Sequence, residues 1–99
     1  MKKSKPIITR TAAELAKALG LTSADGAEIQ LRSDLNSKIV EIVQRKDLTH
    51  AQVARLARTS RTRVTAIMNR NIKDVSTDLL LRVLYSLGYT AKIKFQKAA

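Results

Sequence analysis

The sequence has no cysteine, no tryptophan, one proline and only three aromatic residues among its 99 positions. Without cysteine there can be no disulfide and no thiolate metal site. With so few aromatic side chains, the core must be built from Leu, Ile, Val and Ala, which favours packed helices in one domain. Long hydrophobic runs are missing too, since none approaches the roughly 18 residues of a membrane span. The start MKKSKPIITR has no signal-peptide apolar region, so we expect a cytoplasmic protein without membrane contact.

Acidic residues are also scarce, with 8 Asp and Glu against 19 Lys and Arg, a net charge of +11. Residues 1–47 carry nine basic and six acidic side chains, a net of +3, whereas residues 48–99 carry ten and two, a net of +8. From Leu48 to Lys73 there are six basic residues and no acidic one. Such a block attracts a polyanion, most commonly nucleic acid. The alternative is a solvated basic face that aids solubility.

Groups for catalysis are lacking. One histidine and eight scattered carboxylates provide no nucleophile–base pair and no metal-ligand spacing. We therefore predict that the protein is not an enzyme, with no catalytic residues, no metal site and no cofactor.

The N-terminal half contains two helix signals after a flexible basic arm at residues 1–10. Thr11-Ala12-Ala13-Glu14 is a capping box that opens a short helix, which Gly20 ends. From Ala24 to Lys46 the apolar residues keep the spacing of one helix face. Gly26 weakens the first turn, and Ser33-Asp34 could cap a second helix, so this segment could form two helices. We favour one long helix.

Three short helices follow in residues 48–88. Thr49 can cap a helix to about Ala57, and Ser60 can cap the next one. Val75-Ser76-Thr77-Asp78 opens the last, which Gly88 closes.

After Gly88 the apolar period changes from helical to alternating, which is typical of a half-buried strand. The alternating apolar residues are Tyr89, Ala91, Ile93 and Phe95. Because a lone strand leaves its backbone groups unpaired, it needs a partner. We predict that it pairs with its own copy across a two-fold dimer; the N-terminal arm or a toxin could take that place. The predicted fold is all-α, a five-to-six-helix repressor-like bundle with one C-terminal β-strand, in a single domain at residues 11–99.

Two short helices joined by about three residues inside a basic segment form the outline of a helix-turn-helix. The segment LTHAQVARLARTSRTRVTAI, residues 48–67, resembles the helix-turn-helix of the XRE family of Cro-type repressors. Ala54 matches the small residue that lets the two helices approach, and Val64 and Ile67 match the residues that seat the second helix on the core. The resemblance extends over residues 35–88. Arg58 departs from it, because the family prefers glycine at that turn position.

The second of these helices carries the predicted base contacts. With Val64, Ile67 and Met68 inward, its opposite face holds small residues that let a helix lie deep in a major groove. Recognition helices present their N-terminal residues to base edges. We assign base contacts to Arg61, Thr62, Thr65 and Ala66.

The predicted contacts to the DNA backbone surround this face. His50 stands where the family usually has glutamine, at the start of the first helix, where it can donate to a phosphate; the alternative is an idle surface histidine. The other residues are at the flank of the second helix or in the loop after it, where phosphate contacts fix register. They are Ser60, Arg63, Asn69, Arg70, Asn71 and Lys73.

The resemblance implies a sequence-specific transcriptional regulator of the repressor type, which binds a palindromic double-stranded DNA operator as a homodimer. The alternative is an antitoxin of the HigA type, which binds a toxin and its own operator. RNA binding is disfavoured because we expect no exposed aromatics for stacking: Tyr85 lies in the leucine-rich helix, and Tyr89 and Phe95 belong to the apolar face of the strand.

Overall fold

The structure, a computed structural model, describes residues 23–97. These residues form four helices: α1 Ser23–Arg45, α2 His50–Ala57, α3 Arg61–Met68 and α4 Thr77–Ser86. The chain divides into two units, residues 1–34 and 35–99, with the boundary inside α1. In the described part of the chain, no helix is both long enough and apolar enough to cross a bilayer.

The predicted number of helices and the predicted strand are wrong, although the all-α class is right. Residues 23–97 contain four helices and no strand, not five or six helices with a C-terminal strand. The segment that could have been two helices is one, α1. The helix predicted between Thr11 and Gly20 and the arm at residues 1–10 lie outside the described residues.

Residues 89–97 have no regular secondary structure, although their apolar residues alternate. Alternation specifies which side chains can share a face, but a strand also needs a neighbour for its N–H and C=O groups. Tyr89 and Ala91 pack partly against the core, whereas Ile93 is 66% and Phe95 94% exposed. Only the first half of the pattern therefore contacts the fold.

Tyr89 is held by two cations at the end of α1. Its hydroxyl oxygen accepts a hydrogen bond from Arg45, and Arg45 and Lys46 lie 5.9 Å and 5.7 Å from the centre of its ring. These distances are in the range of cation–π contacts. The start of the C-terminal segment is thus fixed by side-chain contacts rather than by a sheet.

Helices α2 and α3 begin at the predicted caps, and α4 begins within the predicted opening segment Val75-Ser76-Thr77-Asp78. Thr49 accepts a hydrogen bond from the backbone N–H of Gln52, whose side chain accepts one from Thr49 in return, forming a capping box. Ser60 and Ser76 cap α3 and α4 in the same manner, each through its side-chain oxygen. The predicted helix starts are confirmed.

Basic side chains from elsewhere in the fold donate to carbonyls at two helix ends. Arg82 donates from Nε to the carbonyl of Ala57, the last residue of α2, at 3.1 Å. Lys46 donates from Nζ to the carbonyl of Leu87, just after α4, at 3.2 Å. Because the last carbonyls of a helix have no partner inside it, both contacts stabilise the packing of these helices.

The core of the second unit is aliphatic. Helix α1 contributes from Leu35 onwards, whereas Ala27 and Leu31, which share its apolar spacing, are exposed. The most deeply buried large side chains are Ile39, Ile42, Val43, Val53, Val64, Ile67, Leu80 and Val83.

Candidate nucleic-acid interface

Helices α2 and α3 form a helix-turn-helix, and α2 packs against both α3 and α4. Ala54 is 7% exposed, and Val64 and Ile67 are 1% and 0% exposed. The small side chain of Ala54 lets neighbouring elements come close, and Val64 and Ile67 fix the inward face of α3 in the core. This packing determines which residues of α3 remain outside.

The turn between α2 and α3 accommodates Arg58 in the left-handed conformation, with φ 57° and ψ 51°. For a residue with a Cβ this conformation costs on the order of 1 kcal/mol. The turn offsets part of this cost, since the N–H groups of Arg58 and Thr59 donate to the carbonyls of Arg55 and Ala54 at 3.3 Å and 3.0 Å. The turn therefore has the left-handed backbone conformation that glycine adopts most readily, but the residue in this conformation is an arginine.

Four residues of α3 are the predicted base contacts, and they differ in exposure. Arg61 and Thr62 are exposed. Thr65 and Ala66 are only half-buried, and Ala66 also packs against the core. The outer face of the first turn of α3 is thus exposed, whereas the outer face of the next turn is half-buried.

His50 at the start of α2 contacts Thr65 on α3. Its Nδ1 lies 2.9 Å from Oγ1 of Thr65, and both residues are half-buried. In the part of the chain that the structure describes, Nε2 of His50 has no hydrogen-bond partner. One ring nitrogen of His50 is therefore used inside the helix-turn-helix, and the other is available to a ligand.

Arg70 is placed by both its backbone and its side chain. It follows Asn69, the C-cap of α3, with φ 58°, and donates from Nη1 to Oγ of Ser37 on α1 at 2.9 Å. Asn69, Asn71 and Lys73 nearby are exposed. The flank of α3 thus has one guanidinium that is held by a hydrogen bond and three exposed polar side chains.

Beneath α3 lies a buried polar residue, Asn36 of α1, which is 3% exposed. Its Nδ2 donates a hydrogen bond to the carbonyl of Ile67 at 2.8 Å. A buried amide without a partner would be costly, so this bond restricts where the end of α3 can lie.

The basic residues of the acid-free segment are exposed and lack acidic partners. Arg55, Arg58, Arg61, Arg63, Arg70 and Lys73 all reach solvent. The ion pairs of the described second unit join Glu41 to Lys38 and Arg45 on α1, and none of the six cations takes part in one. Six exposed cations without ion pairs in one segment suit a polyanion such as nucleic acid.

Sequence reasoning missed two contacts that hold the site. Asn36 shares one helix face with Val40 and Val43, at i+4 and i+7, and this spacing could have indicated a buried amide. The contact between His50 and Thr65 joins residues 15 apart, and no periodicity in the sequence indicates it.

Residues 19–96 match the helix-turn-helix domain family, and since this is most of the chain, the chain belongs to that family. The helix-turn-helix domain indicates a DNA-binding regulator, and domains of this kind are typically not enzymes. No curated protein and no solved structure matches the chain.

Proposed function

We propose that this helix-turn-helix protein is a sequence-specific transcriptional regulator of the repressor type, which reads the major groove of double-stranded DNA in the cytoplasm. The observation that carries the proposal is the outer face of α3, which is exposed in its first turn and belongs to an acid-free segment, residues 48–73, whose six exposed cations form no ion pair within the described residues. It requires no cofactor.

In the proposed complex α3 lies in the major groove and reads base edges. Arg61, at the exposed start of α3, suits a bidentate contact with O6 and N7 of guanine. Thr62 is exposed beside it, the methyl group of Ala66 suits the methyl group of thymine, and Thr65 can contact a base edge through its hydroxyl. Specificity then comes from the first two turns of the helix.

Phosphate contacts fix the register of α3 in the groove. His50 supports one such contact, because its Nε2 is available at the start of α2. Ser60 caps α3 with its oxygen but keeps its hydroxyl hydrogen for a phosphate. The remaining proposed phosphate contacts are Arg63, Asn69, Arg70, Asn71 and Lys73.

We infer that two copies bind together. One recognition helix reads only a few base pairs, whereas two helices about 34 Å apart read a palindrome one turn of DNA long. The expected complex contains two chains on a palindromic site, which its mass in light scattering would reveal. A complex that stays at one chain per palindrome would contradict the homodimer.

The test of DNA binding is the salt dependence of affinity for duplexes selected from a randomised library. Neutralising about 6–10 phosphates should lower affinity by roughly 10³–10⁵ between 50 and 200 mM salt. Unselected duplexes should bind more weakly but with a steep salt dependence as well. Failure to bind any duplex at low salt would overturn the proposed function.

The second candidate function is an antitoxin of the HigA type, which would bind a toxin as well as its operator. It is favoured by exposed apolar side chains away from α3, above all Tyr85 at 74% and Phe95 at 94% exposure. Large exposed apolar side chains are common in protein interfaces. Purification of the protein together with the product of the adjoining gene would distinguish the two, because a regulator without a toxin partner would purify alone.

A further inference from the structure

His50 and Thr65 form a hydrogen-bonded pair that joins the start of α2 to the outer part of α3. From this pair we propose that His50 determines base specificity without touching a base, by limiting Thr65 to accepting a hydrogen bond. Thr65 would then select adenine or cytosine, the bases that present an amino group, on the contacted strand. The inference rests on the proposed function.

The side chains of His50 and Thr65 together have two hydrogens that can be donated, when the imidazole is neutral. A neutral imidazole carries a hydrogen on one ring nitrogen and a lone pair on the other, and a threonine hydroxyl has one hydrogen. Nδ1 of His50 is 2.9 Å from Oγ1 of Thr65, so one of the two atoms donates to the other. Whichever atom donates has no second hydrogen to offer.

Whether Nδ1 of His50 or Oγ1 of Thr65 is the donor depends on the phosphate contact of Nε2. Nε2 of His50 has no partner within residues 23–97 and stands at the start of α2, where the proposed complex has a phosphate. A phosphate oxygen accepts hydrogen bonds, so Nε2 must carry the hydrogen of the ring. Nδ1 is then the acceptor, and the hydroxyl of Thr65 donates to it.

The consequence appears at the base edge. With its hydrogen engaged, Oγ1 of Thr65 offers DNA only lone pairs, and Thr65 is half-buried rather than enclosed, so that the oxygen can still be reached. In the major groove adenine N6 and cytosine N4 are donors, whereas guanine N7 and O6 and thymine O4 are acceptors. Thr65, when it donates to His50, therefore distinguishes adenine and cytosine from guanine and thymine.

Site selection with a randomised duplex library and four proteins tests this. Comparison of the wild-type protein with Thr65→Val, which keeps the shape but removes the hydroxyl, identifies the base pair that Thr65 reads. On the contacted strand of that base pair, the wild type should favour adenine or cytosine over guanine and thymine by about fivefold, the effect of one hydrogen bond. Thr65→Ser, which keeps the hydroxyl, should keep the preference.

The decisive variant is His50→Gln. Its side-chain amide can reach the position of Nε2 and contact the phosphate, but it has no polar atom at the position of Nδ1. We expect an unchanged melting temperature, unchanged preferences at the other positions of the site and loss of the preference at that one base pair, because the freed hydroxyl can then donate as well as accept. If His50 acted only in folding, the substitution would instead alter the melting temperature or the base preferences at all positions together.

Three outcomes would overturn the inference. In the first, His50→Gln keeps the preference for adenine or cytosine; in the second, the wild type prefers guanine or thymine there, which would mean that Nδ1 donates. In the third, Thr65→Val changes no position. In all three the wild type still selects a site, so the proposed function survives; if it selects no duplex at all, the proposed function fails as well.

Discussion

The side chain of Asn36 donates a hydrogen bond from Nδ2 to the backbone carbonyl of Ile67 at 2.8 Å, inside the aliphatic core. It joins the long helix α1 to the last turn of α3, the helix that we propose reads DNA. Since an unpaired buried amide is costly, the bond favours the position of α3 in which the carbonyl of Ile67 stays within reach of Asn36. A polar contact in the core thus positions the recognition surface outside it.

Replacement of Asn36 by alanine should lower the free energy of unfolding by about 1–3 kcal/mol, because it removes this buried hydrogen bond and leaves a small cavity. Urea unfolding measures the change. The control is Gln44→Ala, which removes an exposed amide from the same helix and should stay within about 0.5 kcal/mol of the wild type. Equal effects of the two substitutions would contradict the role of Asn36.

Replacement of Arg58 by glycine should raise the free energy of unfolding by about 0.5–1 kcal/mol, because glycine adopts φ 57° without steric cost. The control is Arg55→Gly, three residues earlier. It removes the same charge from inside α2, where glycine costs about 1 kcal/mol. Thermal or urea unfolding should therefore show changes of opposite sign, and a loss of stability in both variants would disprove strain at Arg58.

Replacement of Arg61 by alanine should weaken binding to a selected site by about 1–3 kcal/mol and relax the base preference at one position. The reason is the loss of a base contact from the first turn of α3. Binding-site selection and fluorescence anisotropy measure the two effects.

The control for Arg61 is Arg70→Ala, at the flank of α3. It should weaken binding to all duplexes alike and reduce the slope of affinity against salt by about one phosphate. If Arg70→Ala altered base preference and Arg61→Ala did not, the assignment of the two residues would have to be exchanged.

Replacement of Tyr89 by alanine should lower the free energy of unfolding by about 1–2 kcal/mol, because it removes the contacts of the tyrosine ring with the core and with Arg45 and Lys46. Phe95→Ala, which removes a ring that is 94% exposed, should change it by less than about 0.5 kcal/mol. Urea unfolding at low protein concentration makes the comparison. A large loss in Phe95→Ala would mean that the end of the chain packs on the fold.

The sequence by itself determined the local structure around the turn. Thr49, Ser60 and Ser76 cap the helices predicted for them, because a cap depends on residues within one turn of the chain. The spacing of Val64 and Ile67 fixed the buried face of α3, and the acid-free segment indicated a polyanion. These features follow from short-range geometry and charge.

Only the tertiary structure decided the features that need a distant partner. Alternation at Tyr89–Phe95 predicted a strand, but residues 89–97 form none, because a strand depends on a neighbouring backbone that alternation does not supply. The partners of Asn36 and His50 lie 31 and 15 residues away, in other helices. Hydrogen bonds between helices depend on how the helices pack, and so the contacts that orient the recognition surface could not be predicted from spacing along the chain.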